Sequence, residues 1–440
     1  MARLNRLPFL TLILVSLLAG APARAADKAP ASAANSDQTA ETLLQDMKAD
    51  KYAAAYAMFD DRMKQALSEE KLGTVWSQQI GAFGALQSWK FTTSVVSQGL
   101  DVRIALLTFE HGALRATIAI HPDTQEVAGF LLKPAPSAAK PAPPAAYVRP
   151  SDFRASDISV GKAPFVLGGT LTVPVGLGPF PAAILVHGSG PQDRDETIAA
   201  NKVFKDIAEG LASRGIEVLR YDKRTFVYGA KLGDSISVDD EVMVDAGLAL
   251  DALRARPEVD AQHLYVIGHS MGALLAPEIG VRFGPVAGVI LMAPPGRPVE
   301  DIVLEQARYM NTPPHEMATL ELQVAKLKAG TLGTERFVGA PQSYWKDLAK
   351  HDGIAMAKKL GKRVVVMRGD RDFQVAQADF DAWKKGLAGT PNVEFVVIPG
   401  LSHLFIAGEG KPSPSEYDKP GHVDARVIDK LASFIAPTKK

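Results

Sequence analysis

The sequence predicts an α/β fold, in which helices cover both faces of a doubly wound, mostly parallel β-sheet, preceded by a small α+β domain. Three observations indicate this fold class. Short runs of Val, Ile and Leu alternate with helical segments over roughly the last two thirds of the 440 residues. Before them, helical patterns are followed by alternating strand patterns. A stretch rich in proline and alanine separates the two regions and indicates a domain boundary.

The composition is typical of globular proteins and excludes several kinds of function. Hydrophobic residues make up 47% of the chain and charged residues 22%, which is enough for two buried cores at this length. A formal net charge of zero gives no excess of basic residues for nucleic acid or an anionic membrane. The absence of cysteine excludes disulfides, thiolate metal sites and a cysteine nucleophile. The oligomeric state stays open.

Residues 1–25 have the features of a signal peptide. Arg3 and Arg6 precede the largely apolar residues 7–18, and Ala23-Arg24-Ala25 forms a small-residue cleavage pattern. The apolar stretch is too short for stable membrane insertion. We therefore expect the chain to be exported and the mature protein to be periplasmic or secreted.

Residues 37–133 predict the small α+β domain, whose function the sequence does not indicate. The helical patterns cover residues 39–48, 52–66 and a segment after Ser68, and the strand patterns cover residues 89–96, 102–109, 114–120 and 127–132. Helices followed by a meander of strands are typical of this class. Residues 134–150 are so rich in proline that we expect an extended linker.

Residues 151–440 predict the doubly wound domain. Residues 155–160 and 165–173 resemble a hairpin, and later apolar runs cover residues 182–186, 216–220, 264–267, 286–292, 363–367 and 394–398. Runs that are apolar throughout suit strands buried on both faces. Helical segments at 203–213 and 238–254 lie between them. Residues 294–360 interrupt the alternation with helical segments at 299–310 and 316–328, so we expect a helical cap inserted over the sheet.

The segment Gly268-His-Ser-Met-Gly272 directly follows an apolar run and precedes a helical segment. A Gly-X-Ser-X-Gly sequence in this position predicts a nucleophile elbow that exposes the Ser270 hydroxyl. The helix that follows begins with free amide N–H groups, including that of Met271. Ser270 is therefore the predicted nucleophile, and the Met271 amide is one predicted donor to an oxyanion.

A glycine-rich turn, His187-Gly-Ser-Gly190, follows an earlier predicted strand. Such a turn can direct backbone amides at the oxyanion, and the Ser189 amide is the predicted second donor. We call residues 187–190 the oxyanion turn. The alternatives are a simple tight turn or a phosphate-binding loop. A dinucleotide fingerprint does not fit, because Asp193 occupies the position of the third glycine.

An acid and a base follow later strands. Asp370 and Asp372 both lie just past residues 363–367, and we favour Asp372 as the acid because Asp370 is placed to form the turn itself. His403 follows the last predicted strand and is the predicted base, with His422 as its rival. His187 and His269, within the two glycine-rich motifs, are expected to support structure.

Three other polar segments are less indicative of a catalytic or binding role. Asp193, Arg194 and Asp195 could order the oxyanion turn, contact substrate or form an exposed charged turn, and the sequence leaves these readings open. The segment 222–224, Asp-Lys-Arg, is expected to be a strand-end turn with ion pairs rather than a substrate contact. His315-Glu316 begins like a zinc-protease helix, but Thr319 stands where the second histidine is required. No metal and no organic cofactor is expected.

The chain order Ser, Asp, His is that of the α/β-hydrolases. Residues 151–440 resemble that superfamily through four motifs, namely 187–190, 268–272, 369–375 and 400–405. Residues 187–195 and 219–224 more narrowly resemble exported bacterial serine hydrolases related to dienelactone hydrolases, prolyl-oligopeptidase-like and serine aminopeptidase-like enzymes. Members often carry a small N-terminal domain of unknown function, which residues 37–133 also resemble. The resemblance implies hydrolysis of small-molecule carboxylic esters by the triad Ser270, Asp372 and His403.

The sequence is also compatible with two other functions. A serine peptidase or amidase acting on short peptides or aminoacyl amides would use the same triad. It would need a carboxylate for the substrate's amine, which Glu300 or Asp301 could supply. A non-catalytic binding protein on a hydrolase scaffold is the third possibility, and the presence of Ser, Asp and His together argues against it.

Overall fold

A computed structural model describes residues 31–97, 100–110, 112–134, 143–232 and 236–436. The chain divides into two compact units, Met1–Lys140 and Pro141–Lys440. The predicted signal peptide and much of the predicted linker lie outside the described residues. Among the residues that are described, no helix is both long enough and apolar enough to cross a membrane.

The first unit packs helices against a four-stranded antiparallel sheet in the order β1-β2-β3-β4. Its core joins Leu43 and Trp76 of the helices to Leu107 and Ile118 of the sheet. Its elements are α1 (Ala31–Lys48), α2 (Tyr52–Ala57), α3 (Asp61–Ala66), α4 (Glu69–Phe83), β1 (Leu86–Ser97), β2 (Leu100–Phe109), β3 (Gly112–Ile120) and β4 (Val127–Pro134).

The prediction of one continuous helix over residues 52–66 is wrong. The Asp60 side chain accepts a hydrogen bond from the Met63 amide at 2.8 Å, and this N-cap starts a new helix, α3. Apolar spacing alone runs through the break, because both short helices bury one face against the same core. The helix after Ser68 is confirmed, and the Ser68 side chain caps it by accepting from the Lys71 amide.

The second unit is built on an eight-stranded sheet in the order β14-β13-β12-β11-β7-β10-β6-β5. The β5–β6 hairpin and the β6–β10 pair are antiparallel, and the other neighbouring strands are parallel. The strands of this unit are β5 (Phe153–Lys162), β6 (Phe165–Pro174), β7 (Phe180–Val186), β8 (Thr197–Ile198), β9 (Asn201–Lys202), β10 (Glu217–Tyr221), β11 (Val259–His269), β12 (Gly288–Met292), β13 (Arg363–Gly369) and β14 (Val393–Ile398). Strands β8 and β9 form a separate two-stranded ribbon.

Helices cover both faces of the large sheet, as expected from its fully apolar strands. In β11, Leu264 and Val266 join the core on one face, and Tyr265 and Ile267 join the core on the other. The helices of the unit are α5 (Val203–Ala212), α6 (Arg224–Leu232), α7 (Val244–Arg254), α8 (Met271–Phe283), α9 (Val299–Tyr309), α10 (Pro314–Ala329), α11 (Gln342–Leu348), α12 (Gly353–Leu360), α13 (Gln377–Gly386) and α14 (Ala425–Ile435). Helices α7 and α8 pack on the first face, and α5 and α14 on the second.

Helices α9 to α12 form the inserted segment between β12 and β13. Sequence periodicity predicts the ends of α9 and α10 to within two residues, but α11 and α12 are missed. Each has only seven or eight residues, about two turns, which is too short to display a helical period.

Helix α6 is also missed, because Arg224 begins this helix instead of belonging to a strand-end turn. A π-helical turn, Asp239–Met243, precedes α7 inside the predicted helix 238–254.

Candidate active site

The predicted site residues lie on loops that follow the carboxyl ends of four parallel strands, namely β7, β11, β13 and β14. These ends share one edge of the sheet, where ligands bind in open α/β folds. β11 lies in the middle of the sheet between β7 and β12, so the loop carrying Ser270 is central.

Ser270 occupies a strained turn between β11 and α8. Its backbone angles are φ 53° and ψ −118°, which lie outside the regions that non-glycine residues ordinarily adopt. The Ser270 amide donates to the Met292 carbonyl of β12 at 2.8 Å, and its own carbonyl accepts from the Ala273 amide at 3.0 Å. The sheet and the helix therefore fix the turn from both sides, and the serine is half-buried at its tip.

Both glycines of the elbow are required because backbone atoms lie where side chains would begin. A Cβ added at Gly268 would lie 2.2 Å from the Gly272 carbonyl oxygen. A Cβ added at Gly272 would lie 2.1 Å from the Val186 carbonyl oxygen of β7. No rotamer change relieves a clash with backbone, so the strand-to-helix turn can close only with glycine at both positions.

Gly268→Ala is expected to destabilise the protein by about 3 kcal/mol or more and to abolish turnover, because the elbow must open to admit the methyl group. Gly229→Ala in α6 is the matched control, since no atom lies within 4 Å of its added Cβ. Thermal unfolding and ester turnover of both variants measure the difference. A Gly268→Ala protein with normal melting temperature and activity would contradict this account of the turn.

The structure brings Asp372 and His403 together. Nδ1 of His403 donates to Oδ2 of Asp372 at 2.8 Å, and both side chains are buried. Oδ1 of Asp372 accepts from the amides of Gln374 at 2.8 Å and Val375 at 2.9 Å, so the carboxylate is held in place by backbone. With the proton on Nδ1, the Nε2 lone pair of His403 is left free to act as a base.

The two rival residues lie elsewhere. Asp370 is exposed, and its Oδ1 accepts from the Gly400 amide at 2.6 Å. This bond connects the loop after β13, which carries Asp372, to the loop after β14, which carries His403. Nδ1 of His422 lies 3.0 Å from Oδ1 of Asp206 in α5. The structure therefore pairs neither rival with a member of the predicted triad.

The turn after β7 approaches Ser270 closely. A Cβ added at Gly188 would lie 3.2 Å from Cβ of Ser270. Within the described residues, the Ser189 amide donates to no acceptor. Met271 is the first residue of α8, and its amide has no intrahelical partner. The two predicted oxyanion donors are therefore amides in the turn after β7 and at the start of α8, two segments that approach each other at Gly188 and Ser270.

A buried carboxylate, Glu196, contacts both the oxyanion turn and His269, the residue before Ser270. Its Oε1 accepts from the Gly188 amide at 2.8 Å, and its Oε2 lies 3.0 Å from Nδ1 of His269. Nε2 of His269 donates to the His403 carbonyl at 3.0 Å. Burial alone would lower the pKa of His269, but the Glu196 carboxylate reverses this and raises it. His269 thus links Glu196, which contacts the turn after β7, to the loop that carries His403.

The sequence did not single out Glu196, and no local pattern marks it. It is the eighth residue after Gly188, in a polar loop where a solvated carboxylate is the ordinary expectation. Glu196 is buried because its loop packs against Gly188, which follows β7, and His269, which ends β11. The sequence alone does not indicate this packing. The supporting role expected of His269 agrees with its contacts.

His187 also supports structure. Its ring lies 4.8 Å from that of Phe204 and 5.7 Å from that of Tyr221, measured between centroids. Burial lowers the pKa of His187 to about 4, so the imidazole is neutral at ordinary pH. Nε2 donates to the Asp193 carbonyl at 3.0 Å and closes the loop that carries the oxyanion turn.

The charged run Asp193 to Asp195 is engaged in internal contacts. Asp193 accepts from the Thr197 amide at 2.9 Å, and the Arg194 guanidinium pairs with Asp222 at 2.8 Å. Asp195 pairs with Lys202 at 2.7 Å and with Arg220. Of the three readings that the sequence left open, these contacts favour ordering of the loop.

Two known protein families match parts of this sequence. Residues 183–412 match the Alpha/beta hydrolase family, and residues 40–130 match a family described as Protein of unknown function (DUF3887). The chain is 38% identical to Esterase EstD of Thermotoga maritima over 406 residues, which are 91% of this chain and 95% of that protein.

Solved structures of low identity are also similar. A Pyrococcus furiosus esterase matches at 18% identity with a TM-score of 0.43, over 66% of this chain and 94% of the other. Est1E of Butyrivibrio proteoclasticus matches at 17% identity with a TM-score of 0.43, over 63% and 97%. The family match over more than half of the chain and the 38% identical relative decide the assignment. This chain belongs to the alpha/beta hydrolase family.

Proposed function

We propose that this protein is a serine esterase that hydrolyses small-molecule carboxylic esters through an acyl-enzyme on Ser270. The observation that carries the proposal is the contact of Asp372 with Nδ1 of His403, whose carbonyl accepts from His269, the residue directly before Ser270 of the nucleophile elbow. An alcohol becomes a strong nucleophile only when a positioned base removes its proton. The free Nε2 of His403 is that base.

The reaction follows from this arrangement. Nε2 of His403 takes the Ser270 proton as Oγ attacks the ester carbonyl, and Asp372 stabilises the imidazolium that forms. The amides of Ser189 and Met271 donate to the oxyanion, and one such donor is worth about 3 kcal/mol of barrier. His403 returns its proton to the leaving alcohol. Water, activated by the same histidine, then hydrolyses the acyl-enzyme.

Esters are favoured over peptides by two observations. Esterase EstD, which is named for esterase activity, is similar to this chain over nearly its whole length. Asp301, one of the two carboxylates considered for binding a peptide amine, is paired with Lys328 across α9 and α10. A substrate amine would have to displace that lysine.

Matched substrates with one acyl group test the preference. We expect kcat/KM for a p-nitrophenyl ester to exceed that for the corresponding p-nitroanilide by roughly 10²–10⁴-fold. The amine leaving group needs a protonation for which a peptidase site is built. Adding a free α-amine to the acyl group is expected to give no gain. An anilide rate equal to the ester rate, or a marked preference for aminoacyl substrates, would support the peptidase instead.

We further propose that the protein acts outside the cytoplasm. The support comes from residues 1–25, in which a basic start, a short apolar stretch and an Ala-X-Ala pattern follow in the order of a cleavable signal. Without cysteine, the mature chain gains no disulfide in that compartment.

A further inference from the structure

Lys223 is a buried lysine that contacts the oxyanion turn. It follows β10, and only 3% of its side chain is exposed. Nζ donates to the carbonyl oxygens of Gly188 at 2.9 Å and Gly190 at 3.0 Å. These two carbonyls flank Ser189, whose amide is one of the two proposed oxyanion donors.

The third donor of Lys223 is also engaged. Nζ lies 2.5 Å from Oε1 of Glu241, in the π-helical turn before α7. An ammonium group carries three N–H donors and no acceptor. Because the protein engages all three, Lys223 has none left for a substrate, and its contribution must pass through the turn it holds.

Glu241 is held in turn by Tyr344 of α11 in the inserted segment. The Tyr344 hydroxyl donates to Oε2 of Glu241 at 2.6 Å. Burial, reinforced by this carboxylate, raises the pKa of Tyr344, so the hydroxyl keeps its proton. The same hydroxyl lies 3.5 Å from Sδ of Met271, the residue of the other proposed oxyanion donor. Tyr344 thus contacts Met271 directly and is connected to the turn of Ser189 through Glu241 and Lys223.

The geometry of a peptide bond explains what Lys223 does. In a planar trans peptide, the carbonyl of one residue and the amide N–H of the next point in opposite directions. Holding the Gly188 carbonyl against Nζ therefore directs the Ser189 N–H away from Lys223. Gly188, which has no side chain to restrict its backbone angles, would otherwise let this peptide rotate. An oxyanion donor accelerates the reaction only when its direction is fixed in advance.

We propose that Lys223 is a positioning residue of the oxyanion site, which fixes the Gly188–Ser189 peptide and is itself locked by Glu241 and Tyr344. The proposal rests on the proposed function, because it requires acyl transfer at Ser270. It accounts for a buried charge that is costly unless fully paired.

The test removes the buried pair together, so that no lone charge remains in the core. The variant is Lys223→Met/Glu241→Gln. The matched control is Arg224→Met/Asp245→Asn, which removes the neighbouring buried ion pair; there Nε of Arg224 lies 3.0 Å from Oδ2 of Asp245. That pair has no contact with the oxyanion turn within the described residues. Tyr344→Phe is a milder variant that removes one hydroxyl.

Four quantities are measured for each protein: the melting temperature, kcat and KM for a p-nitrophenyl ester, and the inhibition constant of a trifluoromethyl ketone with the same acyl chain. The ketone adds to the serine and forms a tetrahedral oxyanion. We expect the Lys223 variant to lose about 100-fold in kcat and in ketone affinity, with KM changed less than about threefold. Tyr344→Phe is expected to lose several-fold in both, and the control to lose only melting temperature.

Two results would overturn the positioning role. One is a folded Lys223 variant with kcat and ketone affinity within about twofold of wild type. The other is a loss of ketone affinity as large in the Arg224 control, since general loosening of the unit would then explain both. Failure of the proposed function would look different, because the wild type itself would neither hydrolyse the ester nor bind the ketone.

Discussion

Replacing Ser270 by alanine is expected to lower kcat for a p-nitrophenyl ester by about 10⁶-fold, the size of effect that loss of an acyl-transfer nucleophile produces. The elbow should survive, because alanine is no larger than serine and the turn is fixed by main-chain hydrogen bonds to Met292 and Ala273. Substrate binding should therefore be retained, with little change in the dissociation constant of a non-reactive ester analogue.

A fluorophosphonate probe separates the nucleophile from other serines. Wild type should gain one adduct, located on Ser270 by peptide mass spectrometry, and Ser270→Ala should gain none. Ser433→Ala is the matched control, an exposed serine on α14 whose hydroxyl donates to the Lys430 carbonyl at 2.9 Å. Adduct formation and turnover should both be normal in this control. A Ser270→Ala protein that keeps more than about 1% of wild-type kcat would remove Ser270 from the mechanism.

Much of the site could be predicted from sequence because each part is a local pattern at a strand end. Gly-X-Ser-X-Gly after an apolar run specifies a turn that only glycines allow, and the clashes at Gly268 and Gly272 show why. Asp372 and His403 are 31 residues apart in sequence, yet parallel strands bring their loops to one edge of the sheet. The fold class depended on the same regular alternation of strand and helix.

What sequence could not give is the set of buried charges around these motifs. Glu196, Lys223 and Glu241 are polar residues in loops or in a helix turn, and nothing local distinguishes them from solvated side chains. Each is buried by distant segments: Glu241, for example, contacts Tyr344, which is 103 residues away. Long-range packing decides their burial, and periodicity contains no information about it.

Replacing Asp372 by asparagine is expected to lower kcat by about 10⁴-fold. Oδ1 of residue 372 accepts from the amides of Gln374 and Val375, so the asparagine must keep its oxygen there. Its NH₂ group then faces Nδ1 of His403 and donates to it. That hydrogen bond moves the imidazole proton to Nε2, and the histidine can no longer accept the proton of Ser270.

Asp370→Asn is the matched control, because it makes the same chemical change two residues away. Oδ1 of Asp370 accepts from the Gly400 amide, and an asparagine oxygen preserves that bond. We expect kcat within about threefold of wild type, because no contact of the control residue with His403 is broken. If Asp370→Asn abolished turnover while Asp372→Asn kept it, the acid would be Asp370, and the 2.8 Å contact of Asp372 with His403 would serve structure alone.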